Sequence, residues 1–133
     1  DRRPGRGGSR VKRDMDLVRK ILLAMEQCEH GHAPEKLEIE NYTDDAIGYH
    51  AFPMNEAGLI YAVDTTHMQS LSPSALPLHM TWAGHDFLDA CRDEGRWQRA
   101  KSIIGEQVKS APFDVLKSVL VKLIDLQVHQ AFT

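Results

Sequence analysis

Between Leu37 and Cys91 the chain has no lysine and no arginine, although the two together number 16 over its 133 residues. The same stretch carries eight acidic residues: Glu38, Glu40, Asp44, Asp45, Glu56, Asp64, Asp86 and Asp89. Nucleic-acid binding works by neutralising phosphates and releasing their counterions, so an acidic, cation-free segment repels a duplex. Cysteine is scarce as well. Cys28 and Cys91 are the only two, too few for a disulfide scaffold, and each sits beside a helical pattern where a reduced thiol acts as a small hydrophobe. No apolar run is long enough to span a bilayer and no signal peptide is evident, so the expected location is cytoplasmic. A glycine-rich phosphate loop, a nucleophile elbow and carboxylates at paired catalytic spacing are all missing. No catalytic residue, cofactor or enzyme activity is therefore expected.

What remains suits one domain, since this length with 42% hydrophobic residues is enough for a single core. The formal net charge of −3 names no partner by itself; the distribution of charge says more. The opening "DRRPGRGGS" is nearly devoid of apolar residues, and residues 1–10 read as a disordered leader or an expression remnant.

In "RDMDLVRKILLAMEQ", Met15, Val18, Leu22 and Met25 recur at spacings of three and four, joined by Leu17 and Ile21, with Asp14 as N-cap. "KLEIENY" alternates Leu37 and Ile39 with charged neighbours, the pattern of a short half-buried strand. Thr43 caps a second helix whose inner side is Ile47, His50, Ala51 and Met54, ending at Gly58. Pro53 removes a backbone donor inside it, so a kink or break is expected near Phe52. "LIYAVD" and "PLHMTW" read as two strands of a hairpin, the second alternating Leu78, Met80 and Trp82, around a Ser/Thr/Pro loop. Helices follow in "AGHDFLDACRD", with Phe87, Leu88 and Cys91 inward, and in "RWQRAKSIIGEQ", with Trp97, Ala100, Ile103 and Ile104 on its apolar side. The terminal "APFDVLKSVLVKLIDLQVHQAF" makes a helix with an unusually wide apolar stripe. A homodimer through Leu116, Leu120, Leu123 and Ile124 explains that width, and so does packing within the chain.

The order of elements predicts an α+β, mostly helical fold: a winged helix with a small antiparallel hairpin as wing and a C-terminal helical extension. Residues 11–93 form the core of this scheme and residues 94–133 the extension, which packs on the core or forms a dimer. Winged helices ordinarily have two helices between the first helix and the wing; here one is visible, so the other is lost, very short, or hidden near "APEKLE". The stretches "KRDMDLVRKILLAME", "IGYHAFPMNEAGLI" and "TWAGHDFLDACRDEGRWQRAK", in this order, resemble an uncharacterised family of bacterial and phage proteins. That family is a domain of unknown function grouped with winged helices. The resemblance spans residues 12 to 126 and implies the fold and a prokaryotic or phage origin; it implies no activity. An ordinary helix former is expected where this chain has Pro53.

Candidate chemistry is sparse. "CEHGH" offers Cys28, His30 and His32 within five residues, but a structural zinc site draws ligand pairs from two places, so a polar loop is the better reading and no metal is assigned. His85 precedes Cys91 by six residues, too far to act as its base, and Cys91 reads as core. His50, His67, His79 and His85 become cationic only at low pH. The basic residues gather instead on or beside the first helix (Lys12, Arg13, Arg19, Lys20) and late in the chain (Arg92, Arg96, Arg99, Lys101, Lys109), where they read as solvated helix faces. A winged helix that reads DNA needs cations on its recognition helix and wing, and here both lack them. The better expectation is a non-enzymatic regulatory or adaptor protein that binds another protein, or its own copy. The contact residues would be Tyr49, Phe52, Met68 and Leu71, because aromatic and Met side chains in a Lys-depleted setting suit an interface. The rival is a DNA-binding transcriptional regulator of winged helix-turn-helix type, favoured by the usual employment of the scaffold.

Overall fold

The computed structural model describes residues 13–28, 37–66, 73–105 and 113–132. Its elements are α1 (Met15–Glu26), α2 (Asp44–Glu56), β1 (Ile60–Asp64), β2 (Ala75–Met80), α3 (Trp82–Cys91), α4 (Glu94–Ile104) and α5 (Phe113–Ala131). The fold is α+β and mostly helical, with a two-stranded antiparallel hairpin after α2, an order consistent with a mostly helical winged type.

Asp14 starts α1 as expected, its side chain accepting from the Asp16 N–H. Met15, Leu17, Val18, Ile21, Leu22 and Met25 are all buried, the outcome of their three-and-four spacing. Thr43 caps α2 by accepting from the Ala46 N–H at 3.1 Å. The helix then runs unbroken through Pro53, so of the kink or break expected near Phe52 the break does not occur. Proline lies one turn from the end, so the lost donor is that to the Tyr49 carbonyl, and the exit is secured separately. Leu59 N–H bonds the Met54 carbonyl and Gly58 N–H that of Asn55, with Gly58 at φ 81°: a six-to-one and five-to-two closure that favours glycine at the left-handed position.

The segment from Leu37 is not a strand. Leu37 is buried and Ile39 half-buried, but the chain turns at Asn41 (φ 72°) and Tyr42 N–H returns to the Ile39 carbonyl. Its alternation is satisfied by an irregular approach to α2; the one described sheet is β1 with β2. "APEKLE" lies outside the described residues except for Leu37 and Glu38, which are not helical.

In the hairpin, Ile60 pairs with Met80 and Tyr61 with His79, after which Ala62 pairs with Pro77. Leu78 is the extra residue of a bulge, a site that tolerates the missing donor of Pro77. Trp82 does not extend β2 as expected; it is the first residue of α3. Thr81 interrupts the strand, its hydroxyl accepting from Gly84 N–H at 3.0 Å and donating to the carbonyls of Gly58 and Leu59. That cap welds α3 onto the end of α2, and the backbones approach so closely that a Cβ at Gly84 would overlap the Leu59 carbonyl oxygen.

Phe87, Leu88 and Cys91 of α3 are fully buried, as are Trp97 and Ala100 of α4. Ile104 packs partly against the same core, whereas Ile103 is exposed. Leu116, Leu120 and Leu123 of α5 join this one core, so the terminal helix shares its interior with the rest of the molecule. Among the described residues no helix is long and apolar enough to cross a membrane.

Candidate functional site

Helix α2 packs against both strands of the hairpin, and each element leaves one side to solvent. The inner side of α2 is fixed by Ile47, His50, Ala51 and Met54, which turns Asp44, Asp45, Asn55 and Glu56 outward and leaves Tyr49, Phe52 and Pro53 half-exposed. The bulge keeps Ile60 and Met80 inward, so Tyr61 and His79 project from the opposite face with their rings 4.6 Å apart. Tyr61 is 55% exposed, and Trp82 at the head of α3 is 83% exposed. All eight acidic residues between Leu37 and Cys91 are exposed. α2 and the hairpin are thus aromatic and acidic and contribute no lysine or arginine, while elsewhere in the segment Lys20 lies over the Tyr42 ring and Arg92 pairs with Asp89.

Of the residues expected to make contacts, Tyr49 and Phe52 lie on this surface. Tyr49 meets the His50 ring edge-on at 5.7 Å, and Phe52 packs partly against the core. Met68 and Leu71 lie outside the described residues. Tyr61, Val63 and Trp82 were underrated in the sequence: a strand alternation that takes Leu78, Met80 and Trp82 inward hides Trp82, whereas Thr81 read as an N-cap would have turned it outward.

His50 is not part of the exposed face. At 2% exposure its Nε2 accepts from the Asp14 N–H at 2.8 Å and its Nδ1 donates to the Ala46 carbonyl at 2.8 Å. The neutral ring therefore pins the start of α1 to α2, and burial pulls its pKa below the ordinary histidine value. Tyr42 adds a bond from its hydroxyl to Asp14 Oδ2 at 3.2 Å.

Several cations read as solvated helix faces are instead part of the framework. Arg19 is buried; its Nε donates to the Cys91 carbonyl at 2.7 Å and its Nη2 to that of Arg92 at 3.0 Å. Its guanidinium lies 5.5 Å over the Trp97 ring and its Nη1 3.1 Å from Glu94. Arg96 donates to the Ala90 carbonyl and to Gln127. Arg92 holds Glu26, at 2.7 Å through Nη2, and Asp89, which keeps the Glu26 carboxyl below its usual range. Lys101 reaches Asp16 at 3.0 Å, and Lys20 lies over the Tyr42 ring. All of these except the exposed Lys20 tie α1, α3, α4 and α5 together.

The nucleophile and metal candidates are equally constrained. Cys91 is fully buried, and burial pushes its thiol up to about 11, far from a thiolate at neutral pH. Cys28 donates its thiol to the Ala24 carbonyl, while His30 and His32 lie outside the described residues. Among the described residues no group of three His, Cys, Asp or Glu could hold a metal.

Of the four side chains expected at a dimer contact, Leu116, Leu120 and Leu123 are buried inside their own chain and Ile124 is partly so. The apolar residues that α5 leaves outside are Val115, Val121, Leu126 and Val128, with Phe132 just beyond it.

A family of hypothetical proteins, DUF2513, matches residues 12–110. The chain belongs to the DUF2513 family. An uncharacterized protein of Haemophilus influenzae is 32% identical over 117 residues, covering 86% of this chain and 96% of its own length. No solved structure matches the chain. The DUF2513 match takes in α1 to α4, including the whole aromatic and acidic surface.

Proposed function

We propose that this protein is a non-enzymatic regulatory or adaptor protein of winged-helix type and of bacterial or phage origin. It acts by binding another protein through α2 and the hairpin. The observation that carries the reading is the surface of α2 and the hairpin: Tyr49, Phe52, Tyr61 and Val63, with Trp82 at the head of α3, are displayed with the exposed carboxylates of Asp44, Asp45, Glu56 and Asp64, and neither α2 nor the hairpin contains a lysine or arginine. Exposed aromatics of this kind anchor protein interfaces. The acidic surround disfavours a phosphate backbone, and Asp44 and Asp45 occupy the positive end of α2 that would otherwise favour an anion.

Trp82 supplies the test, because the chain has two tryptophans and the other, Trp97, is buried. Acrylamide, a neutral quencher, quenches mainly Trp82 in the free protein. A photoreactive group at position 61, used in host extract, is expected to capture one protein in stoichiometric yield. With that protein purified, Trp82 becomes protected from acrylamide, and Trp82→Ala or Phe52→Ala lowers affinity by about tenfold or more. Steeply salt-dependent binding of duplex DNA by residues 11–133, at affinities that protect Trp82, would replace this reading with that of a DNA-binding regulator.

A further inference from the structure

We propose that a second copy of this chain docks antiparallel along α5, with the two-fold axis passing Val121. Val121, Ile124 and Val128 follow one another at spacings of three and four and so line one side of the helix. This side flanks the buried row of Leu116, Leu120 and Leu123 and is not covered by the chain: Val121 and Val128 are exposed and Ile124 is half-exposed. Beyond Ile124, every residue from Asp125 to Phe132 is exposed, although the helix continues to Ala131. Arg96 holds Gln127 on another side of these two turns, but with so little apolar burial they are marginal in water, and a partner along this side supplies the missing burial.

The charges on the same side select the occupant. Lys117 lies four residues before Val121 and Asp125 four residues after it, and neither makes an ion pair within the chain among the described residues. When two identical helices cross antiparallel about Val121, Lys117 of each copy stands opposite Asp125 of the other, giving two symmetric ion pairs around a Val121–Val121 contact. Ile124 and Val128 then lie over the other copy's first two turns, near Ser118 and Asp114. A parallel pair would set Lys117 against Lys117 and Asp125 against Asp125, which like-charge repulsion disfavours. This surface lies on a different element from the one proposed to bind another protein, so either can stand without the other.

Sedimentation velocity of the full chain over a concentration series tests the proposal. Wild type is expected to be a dimer. Val121→Glu, at an exposed position, is expected to give a monomer that still unfolds cooperatively, with a lower midpoint and a loss of helical circular dichroism no larger than the last two turns of α5. Lys117→Asp is expected to weaken the dimer by about tenfold or more, and the double variant Lys117→Asp with Asp125→Lys to return it to within about threefold of wild type. A wild-type chain that stays monomeric throughout, a dimer indifferent to Val121→Glu, or a charge-swapped double variant no better than the single one would each overturn it.

Discussion

Arg19→Met probes the least expected part of the framework. Helix α3 ends at Cys91 with Arg92 still in a helical conformation, and the chain turns into α4 two residues later without a glycine to close the turn. The carbonyls of Cys91 and Arg92 are satisfied by Arg19, reaching across from α1, while Arg96 takes that of Ala90. Methionine preserves the apolar stem and much of the volume over Trp97 but removes both donors. Stranding a buried carbonyl costs about 1–3 kcal/mol, and the more exposed Arg92 carbonyl recovers part of its loss from water, so a total of about 2–4 kcal/mol is expected. The ion pair to Glu94 adds little, because that carboxylate is 64% exposed. Lysine keeps the charge but cannot serve two carbonyls in a fork, and Arg19→Lys should lose about half as much. Urea unfolding reads the difference directly, and the midpoint of thermal unfolding should fall by about 10 °C for Arg19→Met. Lys20→Met, at the exposed neighbouring position, loses only a solvent-exposed contact with the Tyr42 ring and should stay within about 1 kcal/mol of wild type. A loss below about 1 kcal/mol for Arg19→Met, or full tolerance of lysine, would refute the reasoning.

Gly84→Ala forces a methyl into the Leu59 carbonyl and should destabilise by about 2–4 kcal/mol in a denaturant melt, whereas Gly95→Ala, whose Cβ meets the N-cap oxygen of Asp93 at 3.2 Å, should change stability by less than about 1 kcal/mol, helix propensity and the displaced cap offsetting each other. His50 is held neutral when folded, below the ordinary value of 6.5. The unfolded chain takes up its proton first, so stability is full above about pH 6.5 and falls as pH drops toward the folded value, by up to about 1.4 kcal/mol per pH unit; urea midpoints between about pH 6.5 and pH 5 should lose that slope in His50→Gln. Pro53→Ala restores the donor to the Tyr49 carbonyl and should raise stability by about 1–3 kcal/mol in the same assay; a loss would mean that the proline ring is packed to better effect than the hydrogen bond it forgoes.

Local rules read from the sequence carried as far as a helix or a turn extends. Asp14, Thr43 and Gly58 marked their boundaries because a cap is a bond between residues two to five apart, and the apolar rows of α1, α2 and α3 faced inward because periodicity needs no knowledge of the partner. The absence of cations from Leu37 to Cys91 was equally plain, and the exposure of all eight carboxylates followed from the cost of burying them.

Arrangement in space decided the remainder. Leu37 and Ile39 had a strand's alternation, but no neighbouring strand formed the ladder that would have made it one. Trp82 looked apolar enough to belong inside and was turned out by a threonine whose partners, Gly58 and Leu59, come from the far side of the hairpin. Arg19 and Lys20 are adjacent and chemically alike; only the approach of α3's end to α1 buries one and leaves the other in water. Leu116, Leu120 and Leu123 could have met a second copy or their own chain with the same pattern, and the position of α3 and α4 gave them to the latter, leaving Val121 and Val128 outside. Periodicity and capping are properties of a single segment and survive in its sequence, whereas burial of a charge or choice of a packing partner is a property of two segments and exists only once they meet.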